Sequence, residues 1–400
     1  MINIEINNIY HGNCIELLRE LEDNSIDSIV TDPPYELGFM GKKWDSTGIA
    51  YNVEMWKECL RVLKPGGHLL SFGGSRTYHR MACTIEDAGF EIRDQIMWIY
   101  GSGFPKSYDI SKGIDKKFGA KREVVGKRVH PTLKNKPNIK SRAYHVETLN
   151  SNENMESWDI TAPATNEAKQ WSGWGTALKP AHEPIVVARK PLSEKNVVDN
   201  VLKWGTGGIN IDACRIETNE DLTRNCMGLA SSSNEGWKRP WHEKAIKQVF
   251  ESTNGRFPAN IIFDEEAKRL LDEQSGITRS TKVKNKKKSY DGESFTGMLR
   301  GISTPDIQYN DVGGASRFFY CAKASRKERG EGNNHPTVKP IALMKYLIKL
   351  VMPPNGIVLD PFAGSGTTLV AAKKLGFNYI GFEIEEQYIE IINKRLSTIP

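Results

Sequence analysis

The apolar positions of the chain keep one rhythm at its two ends and another between them. Near the start, "CIELLREL" has helical spacing and "SIDSIV" is a short apolar run of the kind a buried strand makes. "VEMWKECLRVL" is amphipathic and meets a stop at Pro65-Gly66-Gly67. "HLLSF" then predicts a strand, "YHRMACTIEDAGF" a helix closed by Gly89, and "RDQIMWIY" another strand. Strands separated by helices of this length imply a parallel, helix-covered sheet.

The rhythm weakens after Tyr100. From about Ser102 to Thr176 the chain is polar and basic, and one clear strand follows, Ile185 to Ala188 in "AHEPIVVARKP". From Leu192 to about Gly314 come short pieces rich in Gly, Asn, Ser and Trp, with no internal repeat, before "ASRFFYCAKAS" resumes an apolar pattern. The βα alternation then returns. "IALMKYLIKLV" places Ile341, Met344, Ile348 and Val351 on one helical face, and Pro353-Pro354-Asn355-Gly356 turns the chain. "IVLD" predicts a strand, "TTLVAAKKL" a helix closed by Gly376, and "NYIGFEI" a strand. The pattern predicts one α/β domain built from both ends, residues 1–105 and 316–400. The insertion, 106–315, sends a strand near 183–190 back to the sheet.

At 400 residues, 38% hydrophobic and 26% charged, the composition is that of a soluble globular protein with a substantial core. No apolar run approaches the roughly 18 residues needed to span a bilayer, so no membrane is expected as a partner. "MINIEINNIYHG" lacks the pattern of a signal peptide. The six cysteines form no C-x-x-C pair, which argues against a zinc ribbon or a disulfide scaffold and predicts no metal site. Cytoplasm is the default expectation. The net charge of +6 is mild, but Phe104 to Asn150 holds twelve Lys/Arg against four Asp/Glu, and "KVKNKKK" (Lys282 to Lys288) holds five lysines. Such runs suit either a solvated loop or a nucleic-acid backbone.

The most specific signal is "VLDPFAGSGTTLVAAKKLGFNYIGFEIE". A strand ends at Asp360, Gly364-Ser365-Gly366 allow a tight turn, a helix follows, and Glu383 ends the next strand, 23 residues beyond Asp360. This is the βαβ arrangement for a nucleoside-bearing ligand, in which the second acid accepts from ribose hydroxyls. Thr367 stands where a P-loop needs lysine, and Leu369 where a dinucleotide fingerprint needs glycine. With no cation in the loop for a phosphate, S-adenosylmethionine fits best.

A second signal is "SIDSIVTDPPYELGF". Two prolines remove two backbone donors directly after an apolar strand, so an acid and an aromatic ring meet at a stiff, extended corner. Together, "TDPPY" and "DPFAGSGTT" resemble the amino-methylating (N6-adenine or N4-cytosine) DNA methyltransferases, in the subgroup whose catalytic motif precedes the cofactor motif. The resemblance covers about residues 1–105 and 316–400, with the strand around Ile185. It implies a doubly wound, Rossmann-like methyltransferase sheet with an inserted target-recognition region.

The resemblance also implies roles. Asp32 and the carbonyl of Pro33 would accept from the exocyclic amine of a flipped base. Pro34 would stiffen the corner, and Tyr35 would stack on the base. Asp360, Phe362, Ala363, Gly364, Ser365, Gly366, Thr367, Thr368 and Glu383 would hold the cofactor. "HPTVKPIALMKYLI" adds Thr337, Lys339 and Pro340 around the cofactor's methionine end. Asn13 stands where the family carries an adenine-contacting acid; it could equally cap the helix that follows. Trp98 and Phe104 suit a base pocket or core packing, and "MGKKWD" (Met40 to Asp45) a phosphate contact or a plain loop. Methylation of cytosine C5 would need a Pro-Cys nucleophile, and no Pro-Cys pair occurs.

In the family the insertion reads the target. Here it carries Trp171, Trp174, Trp204, Trp237 and Trp241 beside basic residues, which suits stacking and groove binding or a small tryptophan-closed core. The expected partner is double-stranded DNA, and the resemblance leaves room for a homodimer and a separate restriction endonuclease. In the family D-P-P-Y is commoner for adenine, so the resemblance implies adenine N6, with cytosine N4 as the alternative. An RNA or protein-amide methyltransferase, or a non-catalytic DNA-binding protein of this fold, remain as further alternatives.

Overall fold

The computed structural model describes residues 4–38, 43–101, 103, 107–129, 157–218, 224–226, 248–250, 255–279, 312–322, 333, 335 and 337–399. They form two compact units, Met1–Ser102 with Ala181–Pro400, and Gly103–Pro180.

The larger unit is organised by a nine-stranded sheet. Its strands, in chain order, are β1 (Asn8–His11), β2 (Ile26–Thr31), β3 (Leu63–Phe72), β4 (Glu91–Ile99), β5 (His182–Arg189), β6 (Ile261–Asp264), β7 (Tyr320–Ala322), β8 (Ile357–Asp360) and β9 (Asn378–Glu383). Across the sheet the order is β1-β9-β8-β2-β3-β5-β4-β6-β7. Every pairing is parallel except those of β5, which runs antiparallel to β3 and β4. The strand near Ile185 thus joins the sheet, and β6 is a further strand drawn from the stretch read as insertion.

The strands are continuous apolar runs because both faces are covered. Successive residues point to opposite sides. Val30, Leu70, Val187 and Val358 meet one core layer, with helices α6 (Ile341–Val351) and α7 (Thr367–Leu375). Their neighbours Ile29, Leu69, Val186 and Leu359 meet the other layer, with α1 (Cys14–Arg19), α2 (Val53–Val62) and α3 (Tyr78–Asp87). This is a doubly wound α/β sheet. Among the described residues the unit also has helices α4 (Val197–Trp204), α5 (Glu265–Ser275) and α8 (Glu386–Ser397). Helix α6 is buried beyond the predicted stripe: Leu343, Tyr346, Leu347 and Leu350 are buried as well. None of the described helices is long and apolar enough to cross a membrane.

One boundary differs from the pattern. Helix α2 ends at Val62, before the Pro-Gly-Gly stop, because Leu63 is already extended and pairs with Ile26. The ladder resumes at Ser28 and His68, so the residues between Leu63 and His68 bulge out of it. Buried Asn200 holds the bulge: its Nδ2 donates to the carbonyls of Pro65 and Thr206, each at 2.8 Å.

The smaller unit pairs a hairpin (Val124–Val129 with Ser157–Thr161) with helices Ile110–Lys117 and Asn166–Gln170. Its centre is buried Asp115, bonded to Arg122 at 2.6 Å and accepting from the backbone of Ala164 and Thr165 at 3.0 Å each. Trp171 and Trp174 meet edge to face at 5.0 Å and remain 40% and 60% exposed, so they form a surface pair rather than a core.

Asn200→Ala takes the amide donor from the buried Thr206 carbonyl and leaves the Pro65 carbonyl with the Thr206 hydroxyl, at 2.6 Å. It should destabilise the fold by about 1–3 kcal/mol, read as a lower midpoint in urea unfolding.

Candidate active site

The site candidates gather at the carboxyl edge of the parallel strands, where open α/β sheets place their ligands. β2 runs into Asp32-Pro33-Pro34-Tyr35, β8 ends at Asp360, and β9 ends at Glu383. Because β5 is antiparallel, its first residues reach the same edge, and Glu183 stands opposite Trp98 in the ladder.

The proline corner is clamped from outside. The Thr77 hydroxyl donates to the Tyr35 carbonyl at 2.8 Å. Buried Asp45 accepts from the N–H groups of Glu36 and Leu37, at 3.1 and 3.3 Å. That turn carries Glu36 at φ 55°, a left-handed conformation that needs such support.

Inside the corner lies a charged cluster. Lys339 Nζ contacts Asp32 Oδ2 at 2.5 Å and Glu183 Oε2 at 3.3 Å. The Tyr35 hydroxyl donates to the same Glu183 oxygen at 2.8 Å. Burial by itself would lower the lysine's pKa, but the two carboxylates outweigh it and raise it. Burial, followed by the charges of Asp32 and Glu183, pushes the Tyr35 phenol well above its usual range. Asp32 Oδ1 is buried and has no hydrogen-bond partner among the described residues; the same holds for Trp98 Nε1. Trp98 packs against the core and lies 5.3 Å from the ring of Tyr100.

The loop after β8 is built as a cradle. The Ala363 N–H donates to the Phe382 carbonyl at 2.8 Å, and the Gly364 N–H to Glu383 Oε2 at 2.7 Å. Gly364 has φ 54°, and a Cβ there would sit 3.0 Å from His335 Nε2. Gly366, at φ 76°, caps α7, and a Cβ there would sit 2.8 Å from Ile392. Both positions therefore require glycine. Buried Arg395 supports the loop from behind, donating to the Ser365 carbonyl and to the hydroxyls of Ser365 and Thr367, at 3.1 and 3.2 Å for the hydroxyls. Thr367 and Thr368 open α7, and Phe362 donates its N–H to Asp360 at 3.1 Å.

Asp360 also accepts from Thr31 at 2.7 Å, which ties the end of β8 to the end of β2, just before Asp32. The elements thus bring Asp32, Tyr35, Lys339 and Glu183 into one cluster, and Asp360, the glycine loop and Glu383 into an adjoining one. Pro340 caps α6 directly after Lys339, and Thr337 is exposed, its N–H 3.4 Å from His335 Nδ1. Asn13 caps α1, accepting from the Ile15 N–H at 2.9 Å, while its neighbour Gly12 bonds the Glu383 carbonyl at 3.0 Å. Phe104, Met40 to Lys42, Trp237, Trp241 and the Lys282–Lys288 cluster lie outside the described residues.

Glu183, His335 and Arg395 were not anticipated from the sequence. Two of them carry a signal. Glu183 is a charge entering an otherwise apolar strand. Arg395 continues the buried stripe of Tyr388 and Ile392 at helical spacing.

Both acids of the cradle are held protonated to unusually high pH. Burial pushes Glu383 from 4.5 up to about 7, against the N–H bonds from Glu385 and Gly364. Burial likewise raises Asp360 from 3.8 to about 6, against its bonds from Thr368, Thr31 and Phe362. Each group holds its proton more tightly folded than unfolded. Their effect therefore lowers stability as pH rises from the unfolded values, and it levels off above about 7. Glu383→Gln should flatten the upper part of that decline, measured as the urea midpoint against pH.

The chain resembles known proteins over most of its length. A family described as DNA methylase, of the N6/N4 kind, matches residues 26–394. The type II methyltransferase M.HinfI of Haemophilus influenzae is 46% identical over 80 residues, 20% of this chain and 22% of its own length. The chain therefore spans under a quarter of that relative. M.HindIII, from the same species, is 22% identical over an alignment of 431 positions covering 97% of this chain and 94% of its own length. Among solved structures, the cytosine-N4-specific PvuII DNA methyltransferase aligns over 97% of this chain and 85% of its own, with 14% identity and a TM-score of 0.44. The M1.HpyAVI–SAM complex aligns over 97% and 98%, with 17% identity and a TM-score of 0.39. The methyl donor of the matched family is S-adenosylmethionine. With that match spanning nearly the whole chain, the protein belongs to the N6/N4 DNA methylase family.

Proposed function

We propose that the protein methylates the exocyclic N6 of an adenine flipped out of duplex DNA, without a covalent enzyme intermediate. The observation that carries the reading is Asp32 Oδ1, a buried acceptor with no partner among the described residues. An amine conjugated to an aromatic ring is a weak nucleophile, since its lone pair is delocalised. A rigid acceptor draws its N–H and leaves that pair available.

The cradle suits the cofactor of the family. Glu383 and Asp360 are acceptors for hydroxyl groups, the glycines admit close backbone approach, and no side chain of the loop is a cation for phosphate. Bound there, S-adenosylmethionine would supply an electrophilic methyl group. Glu383 would accept from the ribose, Asp32 would hold and then take a proton of the target amine, and Tyr35 would offer its ring to the base. The clamped Pro33-Pro34 corner keeps the acceptor in place, so that little reorganisation is needed at the moment of transfer.

For the DNA partner, the reading rests on the basic stretch from Phe104 to Asn150 and the exposed pair Trp171 and Trp174. By likeness to M.HinfI and M.HindIII, a type II methyltransferase role beside a separate endonuclease is part of the same proposal. The preference for adenine rests on the D-P-P-Y form of the motif.

The test is to incubate the protein with unmethylated genomic DNA and S-adenosylmethionine, digest to nucleosides, and identify the methylated base by mass spectrometry. N6-methyladenine is expected; N4-methylcytosine would keep the mechanism and change the base. Asp32→Ala should abolish transfer while cofactor binding persists, and strong residual activity would remove Asp32 from its role. Glu383→Ala should instead weaken cofactor binding, and an unchanged affinity would place the ribose elsewhere.

A further inference from the structure

We propose that Glu183 and Lys339 are positioning residues for Asp32, a carboxylate–ammonium pair that leaves Asp32 with one free oxygen and the site with a net negative charge. The inference rests on the methyl-transfer reading above.

Lys339 has a side chain only 8% exposed. A buried ammonium is costly unless it is paired. This one meets Asp32 Oδ2 at 2.5 Å, Glu183 Oε2 at 3.3 Å, and the faces of Tyr35 and Phe72 at 5.3 and 5.0 Å. A fixed cation on Oδ2 sets the plane of the Asp32 carboxylate. Oδ1 is then the oxygen left buried and unpartnered among the described residues. Without the lysine, the carboxylate could turn and present either oxygen, and the acceptor would no longer be preorganised.

Glu183 completes the device in two ways. Its Oε2 also accepts from the Tyr35 hydroxyl at 2.8 Å, so one oxygen locks both the lysine and the ring expected to meet the base. It also sets the charge balance. Asp32 with Lys339 alone would be neutral; with Glu183 the cluster carries one negative charge. The target nitrogen becomes positive as it takes the methyl group, before a proton leaves it for Asp32 Oδ1. A net negative cluster favours that change, and a neutral one does not. The antiparallel strand β5 is what brings Glu183 to this edge. Lys339 thus touches the catalytic acid, where the family resemblance points to the cofactor's methionine end.

The test is a double-mutant cycle with the near-isosteric Glu183→Gln and Lys339→Met, read by single-turnover methyl transfer to DNA and by separate cofactor and DNA binding. Each single variant should slow transfer by about 10²-fold, with cofactor and DNA affinities changed by less than about twofold. The double variant, which keeps the net charge of the cluster, should be no slower than the slower single variant. Additive losses, rates near that of the unchanged protein, or a loss of cofactor affinity matching the loss of rate would each overturn the inference. Should Lys339→Met fail to fold, Glu183→Gln decides the question by the same split between rate and affinity. If the unchanged protein transfers no methyl group to DNA, the function and this inference fall together. Transfer by the unchanged protein with undiminished variants overturns the inference alone.

Discussion

The parallel pairing of β2 with β8 is the constraint on which the site depends. Val358 and Leu359 pair with Ser28 and Ile29, joining stretches 330 residues apart in the chain. Side chains reinforce the seam: Asp27 accepts from the Ile357 N–H at 2.8 Å, and Thr31 donates to Asp360 at 2.7 Å. Parallel neighbours end at the same edge. The proline corner after β2 and the glycine loop after β8 are therefore adjacent by construction. A slip of one residue in that register would turn each buried set to the opposite face and separate the two loops.

Around this seam the carboxylates are treated differently. Asp360 and Glu383 are buried among N–H and hydroxyl donors, and burial outweighs those bonds, lifting them to about 6 and about 7. Asp32 is instead met by an ammonium and keeps one oxygen unengaged among the described residues. In the proposed reaction the first two would accept from a neutral, hydroxylated ligand, and the third from an amine that becomes cationic. Environment assigns different work to chemically similar groups.

Much of this was legible in the linear chain. The helices Ile341–Val351 and Thr367–Leu375 and the strand Ile357–Asp360 fall where periodicity placed them, because local pattern and tertiary burial agree there. The cradle was legible because its glycines answer a backbone demand that only glycine meets. The end of α2 was misread by a few residues, since pairing of Leu63 with Ile26 overrode the local Pro-Gly-Gly signal. Glu183 and Arg395 escaped because their partners lie far off in sequence: Tyr35 is 148 residues from Glu183, and Ser365 is 30 from Arg395.

The sequence by itself determined the doubly wound class, the proline corner and the glycine loop that end β2 and β8, and the family. Each of these depends on local rules of apolar spacing, turn geometry and residue type. Only the tertiary structure decided that β5 runs antiparallel and brings Glu183 to the site edge. It alone decided that Lys339 binds Asp32, and that Arg395 supports the cradle. Those facts depend on which distant strands become neighbours and on where a buried charge finds its counterion. Long-range packing sets both, and no local pattern encodes them.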